Sequence, residues 1–315
     1  MPRVSVITPS YNCGRFLDEA IRSALAQSYR DFEIIVVDDG STDMTQDVLA
    51  RYDGSIAVIR QNNRGVSAAR NRAIAVATGE FLAYLDADDV WLPAHLQRGV
   101  EFLDDHADCG LVHSDFHFID EAGTQIITNF NRQPGLRIMH GRCLHDLLQF
   151  STIAVPTVIE RRSCVEDTGG FNESLSYAED YQHWIRVALA GHAFGYLDEA
   201  LALKRRRDES LSRSRDPATL ARWDEFLLLI FRPLLENATL RRHLDPTAEK
   251  IVRSRIDACY GNLAYNHRML GDLRLARAHA LAWRRFSPKS AGPYLELAKS
   301  LVPEFLARRV REARG

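Results

Sequence analysis

The sequence lacks the features of several large protein classes. Its 315 residues carry a formal net charge of −2, so it has no overall positive field of the kind that a nucleic-acid-binding protein needs. The five cysteines are scattered, without a CxxC pair, which argues against a disulfide framework and a cysteine-rich zinc site. We therefore expect no nucleic-acid partner, and any anionic ligand must be held by local charges.

Long apolar segments are also missing. The longest uninterrupted apolar run, Phe226 to Phe231, is far shorter than the about 20 residues that span a bilayer. The first residues lead directly into the strand-like Val4 to Ile7, without the basic, apolar and cleavage regions of a signal peptide. The sequence therefore predicts a cytoplasmic protein that does not cross a membrane.

Short β-rich runs alternate with helical patterns from Val4 to about Asp115. This alternation predicts a parallel sheet with crossover helices. Ligands of such sheets bind beyond the carboxyl ends of the strands. Two acidic clusters, Asp38–Asp39 and the run from Asp86 to Asp89, directly follow apolar strands, so we expect them at a ligand-binding edge.

The pattern becomes mixed after about residue 110 and wholly helical after Asp216–Pro217. We predict one α/β domain over residues 1–215, with halves 1–110 and 111–215, and a helical region over residues 216–315. Part of the helical region follows the tetratricopeptide spacing, at Tyr260, Leu263, Ala264, His267, Gly271, Asp272, Ala276, Ala280 and Pro288. One such helix pair cannot bury its own apolar face, so a helical cap is the favoured interpretation.

The Asp86-x-Asp88 pair is the first candidate for chemistry. Carboxylates in a loop after a buried strand suit a hard divalent cation such as Mg²⁺ or Mn²⁺, which prefers oxygen ligands and leaves positions for phosphate. The alternative is an acidic loop or a helix N-cap before Trp91.

Five segments occur in a fixed order: VSVITPSYN, DFEIIVVDDGSTD, GVSAARNRAI, GEFLAYLDADD and YAEDYQHWIRVA. Over about residues 3 to 215 the chain thereby resembles the family 2 glycosyltransferases of the GT-A fold. The resemblance implies a Rossmann-like mixed, mostly parallel sheet flanked by helices, a nucleotide-sugar donor and inversion at the anomeric carbon. It also implies that residues 1–110 bind the donor and residues 111–215 the acceptor.

The resemblance gives the donor half its site residues. Thr8, Pro9 and Tyr11 would line the nucleobase pocket, and Asp39 would accept a hydrogen bond from the base. The remaining roles fall on Arg70 near the donor phosphates, Asp86 at the ribose or metal, and Asp88 as the main metal ligand. For Tyr11 the alternative is core packing, and for Arg70 it is an exposed helix charge.

On the acceptor side, the resemblance makes Asp180 the general base, with Glu179 beside it. The alternative is that both acids complement the dipole of the helix that they begin, with Glu179 as a cap.

Many relatives carry a metal-reaching His, followed by serines, where this chain has Arg207. The arginines of LALKRRRDESLSRS, Arg205 to Arg207, would instead contact the diphosphate, or form a solvated linker.

A further polar cluster is His113-x-Asp115-x-His117. On a strand these side chains would share one face, but no fourth ligand accompanies them, so zinc is disfavoured. We predict that they line the acceptor cleft and that Asp115 contacts the acceptor.

The predicted function is that of a non-processive, metal-assisted glycosyltransferase using a nucleoside-diphosphate sugar, with UDP favoured. It would act on a glycan or lipid-linked acceptor. The basic tail, including Arg308, Arg309 and Arg311, is compatible with peripheral contact to anionic lipid and equally with an ordinary exposed helix. The alternatives are a catalytically inactive scaffold that binds through its helical tail and a nucleotidyltransferase.

Overall fold

The computed structural model describes residues 1–207 and 216–301. They form two compact units, the first comprising Met1–Arg207 and the second lying after it in the chain. The serines that follow Arg207, within residues 208–215, and the basic tail residues Arg308, Arg309 and Arg311 lie outside the described residues.

A nine-stranded sheet organises the first unit. Its strands are β1 (Val4–Ser10), β2 (Phe32–Asp38), β3 (Ala57–Arg60), β4 (Phe81–Tyr84), β5 (Val90–Trp91), β6 (Cys109–Ile119), β7 (Gln125–Ile127), β8 (Val158–Arg161) and β9 (Ala193–Arg205). The spatial order is β3-β2-β1-β4-β8-β6-β9-β5, with β7 paired to β6. Neighbouring strands are therefore consecutive in the sequence only among β1, β2 and β3 and in the β6–β7 pair.

Strand direction divides this sheet into two parts. β1 to β4 pair in parallel, whereas β8 runs antiparallel to both of its neighbours, β4 and β6. β9 is parallel to β6 and antiparallel to β5. β1 and β4 are buried along their whole length, as expected for strands covered on both faces.

Seven helices belong to the first unit: α1 (Gly14–Leu25), α2 (Thr45–Ala50), α3 (Val66–Ile74), α4 (His95–Asp105), α5 (Leu144–Leu147), α6 (Arg162–Thr168) and α7 (Glu179–Leu189). α1 is amphipathic and buries Phe16, Leu17 and Ile21 at helical spacing, which packs its apolar stripe into the core. The predicted α/β fold, a mixed sheet flanked by helices, is confirmed.

The second unit is helical throughout its described residues. It contains α8 (Pro217–Glu236), α9 (Ala238–Arg241), α10 (Pro246–Met269), α11 (Leu273–Phe286) and α12 (Gly292–Leu301). α10 and α11 are joined by a tight turn at Gly271, whose φ is +82°, and α11 buries Ala276 and Ala280. The predicted helical region is confirmed, while its likeness to a tetratricopeptide stays a prediction.

None of the helices in residues 1–207 and 216–301 combines the length and the apolar character needed to cross a bilayer.

Candidate active site

Asp39 lies directly after β2 and is buried. Its Oδ1 accepts hydrogen bonds from Gln61 Nε2 at 2.8 Å and from the Arg64 backbone N–H at 2.9 Å, and its Oδ2 accepts one from the Gly65 N–H at 2.8 Å. The next residue, Gly40, has a φ of +80°, and a Cβ there would lie 2.9 Å from a backbone nitrogen of the facing loop. Glycine is therefore required for the close approach that lets Asp39 fasten this loop.

The end of β1 lies beside the Asp39 loop in the sheet, where Ser10 pairs with Asp38. Thr8 is buried, and its Oγ1 has no hydrogen-bond partner among the described residues. Pro9 is buried in the same strand. Tyr11 follows the strand and is 49% exposed, so the alternative that it packs in the core is wrong.

The acidic loop, residues 86–89, follows β4. The pKa values of Asp86 and Asp88 are shifted in opposite directions. Burial raises the pKa of Asp86, but the charges of Arg70 and Lys204 outweigh burial and leave that pKa below its usual value. Burial and the charge of Asp86 raise the pKa of Asp88. The alternative that this loop caps a helix is wrong, because the loop continues into β5, and α4, which begins at His95, has no side-chain cap.

Arg70 joins two parts of the site. Its guanidinium donates to Asp86 Oδ1 at 2.7 Å and to Glu179 Oε1 at 2.6 Å, and its side chain is 3% exposed. It projects from α3 into the protein, so the alternative of an exposed helix charge is wrong. Its predicted contact with the donor phosphates stays a prediction.

Asp180 is the second residue of α7. Burial, reinforced by the neighbouring charge of Glu179, raises its pKa to about 6. Its Oδ1 accepts a hydrogen bond from the Tyr181 N–H at 2.7 Å. Glu179 pairs with Arg70, and α7 has no side-chain cap, so the alternative that Glu179 caps the helix is wrong.

Lys204, on β9, was missed by the sequence analysis. Burial lowers its pKa, but the charges of Asp89, Asp86, Asp88 and Asp180 outweigh burial and raise it. The charge of one ammonium group therefore interacts with the carboxylates of both the acidic loop and the start of α7. Lys204 directly precedes Arg205 to Arg207 in the sequence, and its Nζ lies 3.9 Å from Asp89 Oδ2.

Arg207 lies beside Asp88, with 3.4 Å between its Nη1 and Asp88 Oδ2. Arg205 holds the same loop from its backbone side, donating from Nε to the Asp88 carbonyl at 2.9 Å and from Nη2 to Glu19 at 2.6 Å. The alternative of a solvated linker is wrong for Arg205, which is buried at the end of β9.

The cluster on β6 does not assemble as a set of ligands. His113 and Asp115 are buried. His113 Nε2 lies 2.7 Å from the Met139 carbonyl oxygen, and Asp115 Oδ1 accepts hydrogen bonds from the Phe116 and Asn131 N–H groups. The predicted contact between Asp115 and an acceptor stays a prediction.

The acidic loop offers hard oxygen donors of the kind that Mg²⁺ and Mn²⁺ prefer. Asp86 and Asp88 repel one another, and a divalent cation would relieve that repulsion. Across residues 1–207 and 216–301, the single group of three His, Cys, Asp or Glu side chains with ligand atoms within 4.8 Å of one another lies in the helical unit. A cation at Asp88 would therefore complete its coordination with water and phosphate, as Mg²⁺ commonly does.

The mixed sheet flanked by helices, with acids directly after the parallel strands β2 and β4, is of the GT-A-like class. A mannosyltransferase of Pyrobaculum calidifontis, in complex with GDP-Man and Mn²⁺, has the same fold, with a TM-score of 0.58 and 21% identity over 95% of this chain and 87% of that chain.

Residues 5–155 match the family described as Glycosyl transferase family 2. The putative teichuronic acid biosynthesis glycosyltransferase TuaG of Bacillus subtilis is 31% identical over 70% of this chain and 86% of its own length. An Escherichia coli relative named UDP-Glc:alpha-D-GlcNAc-diphosphoundecaprenol beta-1,3-glucosyltransferase WfaP is 32% identical over 61% of this chain and 72% of its own.

The chain belongs to glycosyl transferase family 2. Its match to a Rickettsia typhi glycosyltransferase covers 64% of that protein's length.

Proposed function

We propose that this protein transfers a sugar from a nucleoside-diphosphate sugar, with UDP as the favoured nucleotide, to a hydroxyl group of a glycan or lipid-linked acceptor. Transfer proceeds in single steps with inversion at the anomeric carbon and with assistance from Mg²⁺ or Mn²⁺. The catalytic site lies in the first unit, with the donor held by residues 1–110 and the acceptor by residues 111–215.

The observation that carries this proposal is the linkage between the acidic loop and α7. The Arg70 guanidinium contacts both Asp86 and Glu179, so the residue after Glu179, Asp180, is held near the loop that would receive the diphosphate. A transferase that inverts needs this juxtaposition, since the base must reach the acceptor hydroxyl that attacks the anomeric carbon on the side opposite the leaving diphosphate.

Asp180 is the general base of the proposed reaction. As the acceptor oxygen forms its bond to the anomeric carbon, the carboxylate takes the hydroxyl proton. The bond from that carbon to the diphosphate oxygen breaks, and the diphosphate leaves with the electron pair. A pKa raised to about 6 makes Asp180 a stronger base than an ordinary aspartate while keeping it ionised at pH 7.

The donor would be held by groups that are already ordered. Thr8 offers a buried hydroxyl, Tyr11 an exposed ring and Asp39 an acceptor oxygen for the base. Asp86 and Asp88 would hold the cation, which supplies positive charge that stabilises the departing diphosphate. Arg207, beside Asp88, would add a guanidinium contact to the diphosphate.

The choice of UDP and of a lipid-linked acceptor is supported by the name of the relative WfaP, which specifies a UDP-sugar donor and a diphosphoundecaprenol acceptor. Mn²⁺ is supported by the mannosyltransferase of the same fold, which binds it together with GDP-Man.

A thermal-shift screen tests the donor site without any acceptor. UDP, GDP, dTDP and CMP are each added with and without Mn²⁺. A ligand at about a hundred times its dissociation constant stabilises a protein by about 2.7 kcal/mol. We expect the largest shift for UDP, dependent on Mn²⁺ and lost in Asp88→Ala.

The matched control is Asp105→Ala, which removes an exposed aspartate at the end of α4 and should leave the shift intact. A shift with another diphosphate would replace UDP as the donor nucleotide. If no nucleotide stabilises the protein, the donor proposal fails. That result would favour the alternative of a catalytically inactive scaffold. Release of pyrophosphate from a nucleoside triphosphate would instead identify a nucleotidyltransferase.

A further inference from the structure

Three potential metal ligands meet in the helical unit, far along the chain from the acidic loop. They are Glu225 on α8, His267 near the end of α10 and His279 on α11. One ligand atom of each lies within 4.8 Å of the other two. No part of the proposed glycosyl transfer uses these side chains.

The two imidazoles lie close together and nearly parallel, so one ring must rotate before both can bind the same ion. Their rings stack with 5.1 Å between the centroids and an angle of 7° between the planes. His267 is 9% exposed, and its Nε2 is buried without a hydrogen-bond partner in the part of the chain that the structure describes. An unsatisfied buried nitrogen costs free energy, and a bound cation would remove that cost.

Glu225 provides the anionic member of the group. Its Oε1 lies 4.0 Å from His267 Nε2, and its side chain is 50% exposed. This separation is too long for a hydrogen bond. An exposed glutamate can change rotamer at little cost, so this carboxylate can approach a cation without movement of α8.

We propose that Glu225, His267 and His279 bind a zinc ion, with water in the fourth position. Two nitrogen ligands and one carboxylate oxygen match the donors that Zn²⁺ accepts in proteins, whereas Mg²⁺ prefers oxygen alone. Zinc bonds of about 2.0–2.2 Å place tetrahedral ligand atoms roughly 3.3–3.6 Å apart. The side chains therefore need to approach by less than about 1.5 Å, which side-chain rotation can supply.

Such an ion would fasten α8 to both α10 and α11. These helices come from separate parts of the chain, so the site forms only when the unit is folded, and the free energy of zinc binding would stabilise the folded state. The role assigned to the ion is therefore structural and is independent of donor binding.

Zinc retention is measured on the full chain in the Asp88→Ala background, where the main oxygen ligand of the acidic loop is absent. After zinc loading and dialysis, we expect about one zinc ion per chain and a higher melting temperature than for the zinc-free protein. Adding His279→Gln should abolish both effects. Adding His243→Gln, an exposed histidine of the same unit, should abolish neither.

Circular dichroism establishes that each variant is folded. If His279→Gln does not fold, Glu225→Gln takes its place, since a half-exposed glutamine leaves no buried cavity. Co²⁺ in place of Zn²⁺ should give the intense visible absorption of a tetrahedral site. Failure of the Asp88→Ala chain to retain zinc overturns the proposal, as does retention that is unchanged by both His279→Gln and Glu225→Gln.

Discussion

The two ends of the candidate active site differ in how strongly hydrogen bonds stabilise the charge of their carboxylates. At the proposed nucleobase end, Asp39 accepts hydrogen bonds from two backbone N–H groups and a glutamine side chain. At the proposed reaction end, Asp180 accepts one from Tyr181, and burial raises its pKa to about 6. A carboxylate that only positions a ligand works best when its charge is stabilised. One that must take up a proton works best when its charge is poorly stabilised.

The largest expected effect comes from Asp180→Asn, which keeps the size of the side chain but removes the base. Sugar transfer should fall by about 10²–10⁴-fold, while the nucleotide-dependent thermal shift should persist. Initial rates with a UDP-sugar and a lipid-linked acceptor measure the first quantity. Glu166→Gln, at an exposed position on α6, is the control. Full activity of Asp180→Asn would remove Asp180 from the mechanism.

Arg70→Met tests the link between the two ends. Removing one partner of a buried ion pair destabilises by about 3–5 kcal/mol, and here it leaves two carboxylates, Asp86 and Glu179, without their shared cation. Arg72→Met changes an exposed arginine of the same helix and should stay within about 0.5 kcal/mol of the parent. Urea unfolding measures both. Equal values for the two variants would contradict the structural role of Arg70.

Asp39→Ala should cost less than Arg70→Met. It removes the charged acceptor of the Arg64 N–H and one of the two acceptors of the Gly65 N–H. We expect a loss of about 1–3 kcal/mol together with weaker UDP binding. Asp53→Ala, at an exposed position, should change neither the free energy of unfolding nor UDP affinity. Unchanged UDP affinity in a folded Asp39→Ala protein would exclude Asp39 from the nucleobase site.

The pH dependence of kcat/KM should report Asp180 directly. The base must be ionised, so kcat/KM should fall roughly tenfold per pH unit below its pKa, which is raised to about 6. A profile that stays flat down to pH 5 would contradict this assignment. The nucleotide shift, which does not require the base, should be less affected between pH 5 and pH 6.

The pH dependence of the melting temperature is a second test of the same pKa, and we expect it to show the smallest effect. Because the pKa of Asp180 is higher in the folded protein than in the unfolded chain, its ionisation on raising the pH through about 6 destabilises the folded state. Asp180→Asn should therefore melt at a higher temperature than the parent above pH 6. The difference should shrink as the pH falls from about 6 and vanish below about pH 4, where Asp180 is neutral in both the folded and the unfolded chain.

The chain pattern predicted the sheet and the positions of its acids, because continuous apolar runs identify buried strands and acids after them lie at their ends. It did not predict which charges meet. Arg70 and Glu179 are 109 residues apart, and Lys204 approaches Asp180 only through the course of β9. The burial of Asp115 was missed for a local reason: β6 has register shifts on both sides of that residue, which break the alternation assumed for its side chains.

Arg70 also limits how this protein can be recombined with its relatives. Residues 66–74 of α3 and the first turn of α7 share one guanidinium between them, although they belong to different halves of the sequence. A chimera can import α7 from a relative to change the acceptor. It keeps the contact with Arg70 only when the first residue of the imported α7 can still pair with that arginine. Helices α3 and α7 should therefore be exchanged together. A crossover between residues 1–110 and 111–215 would take them from different parents.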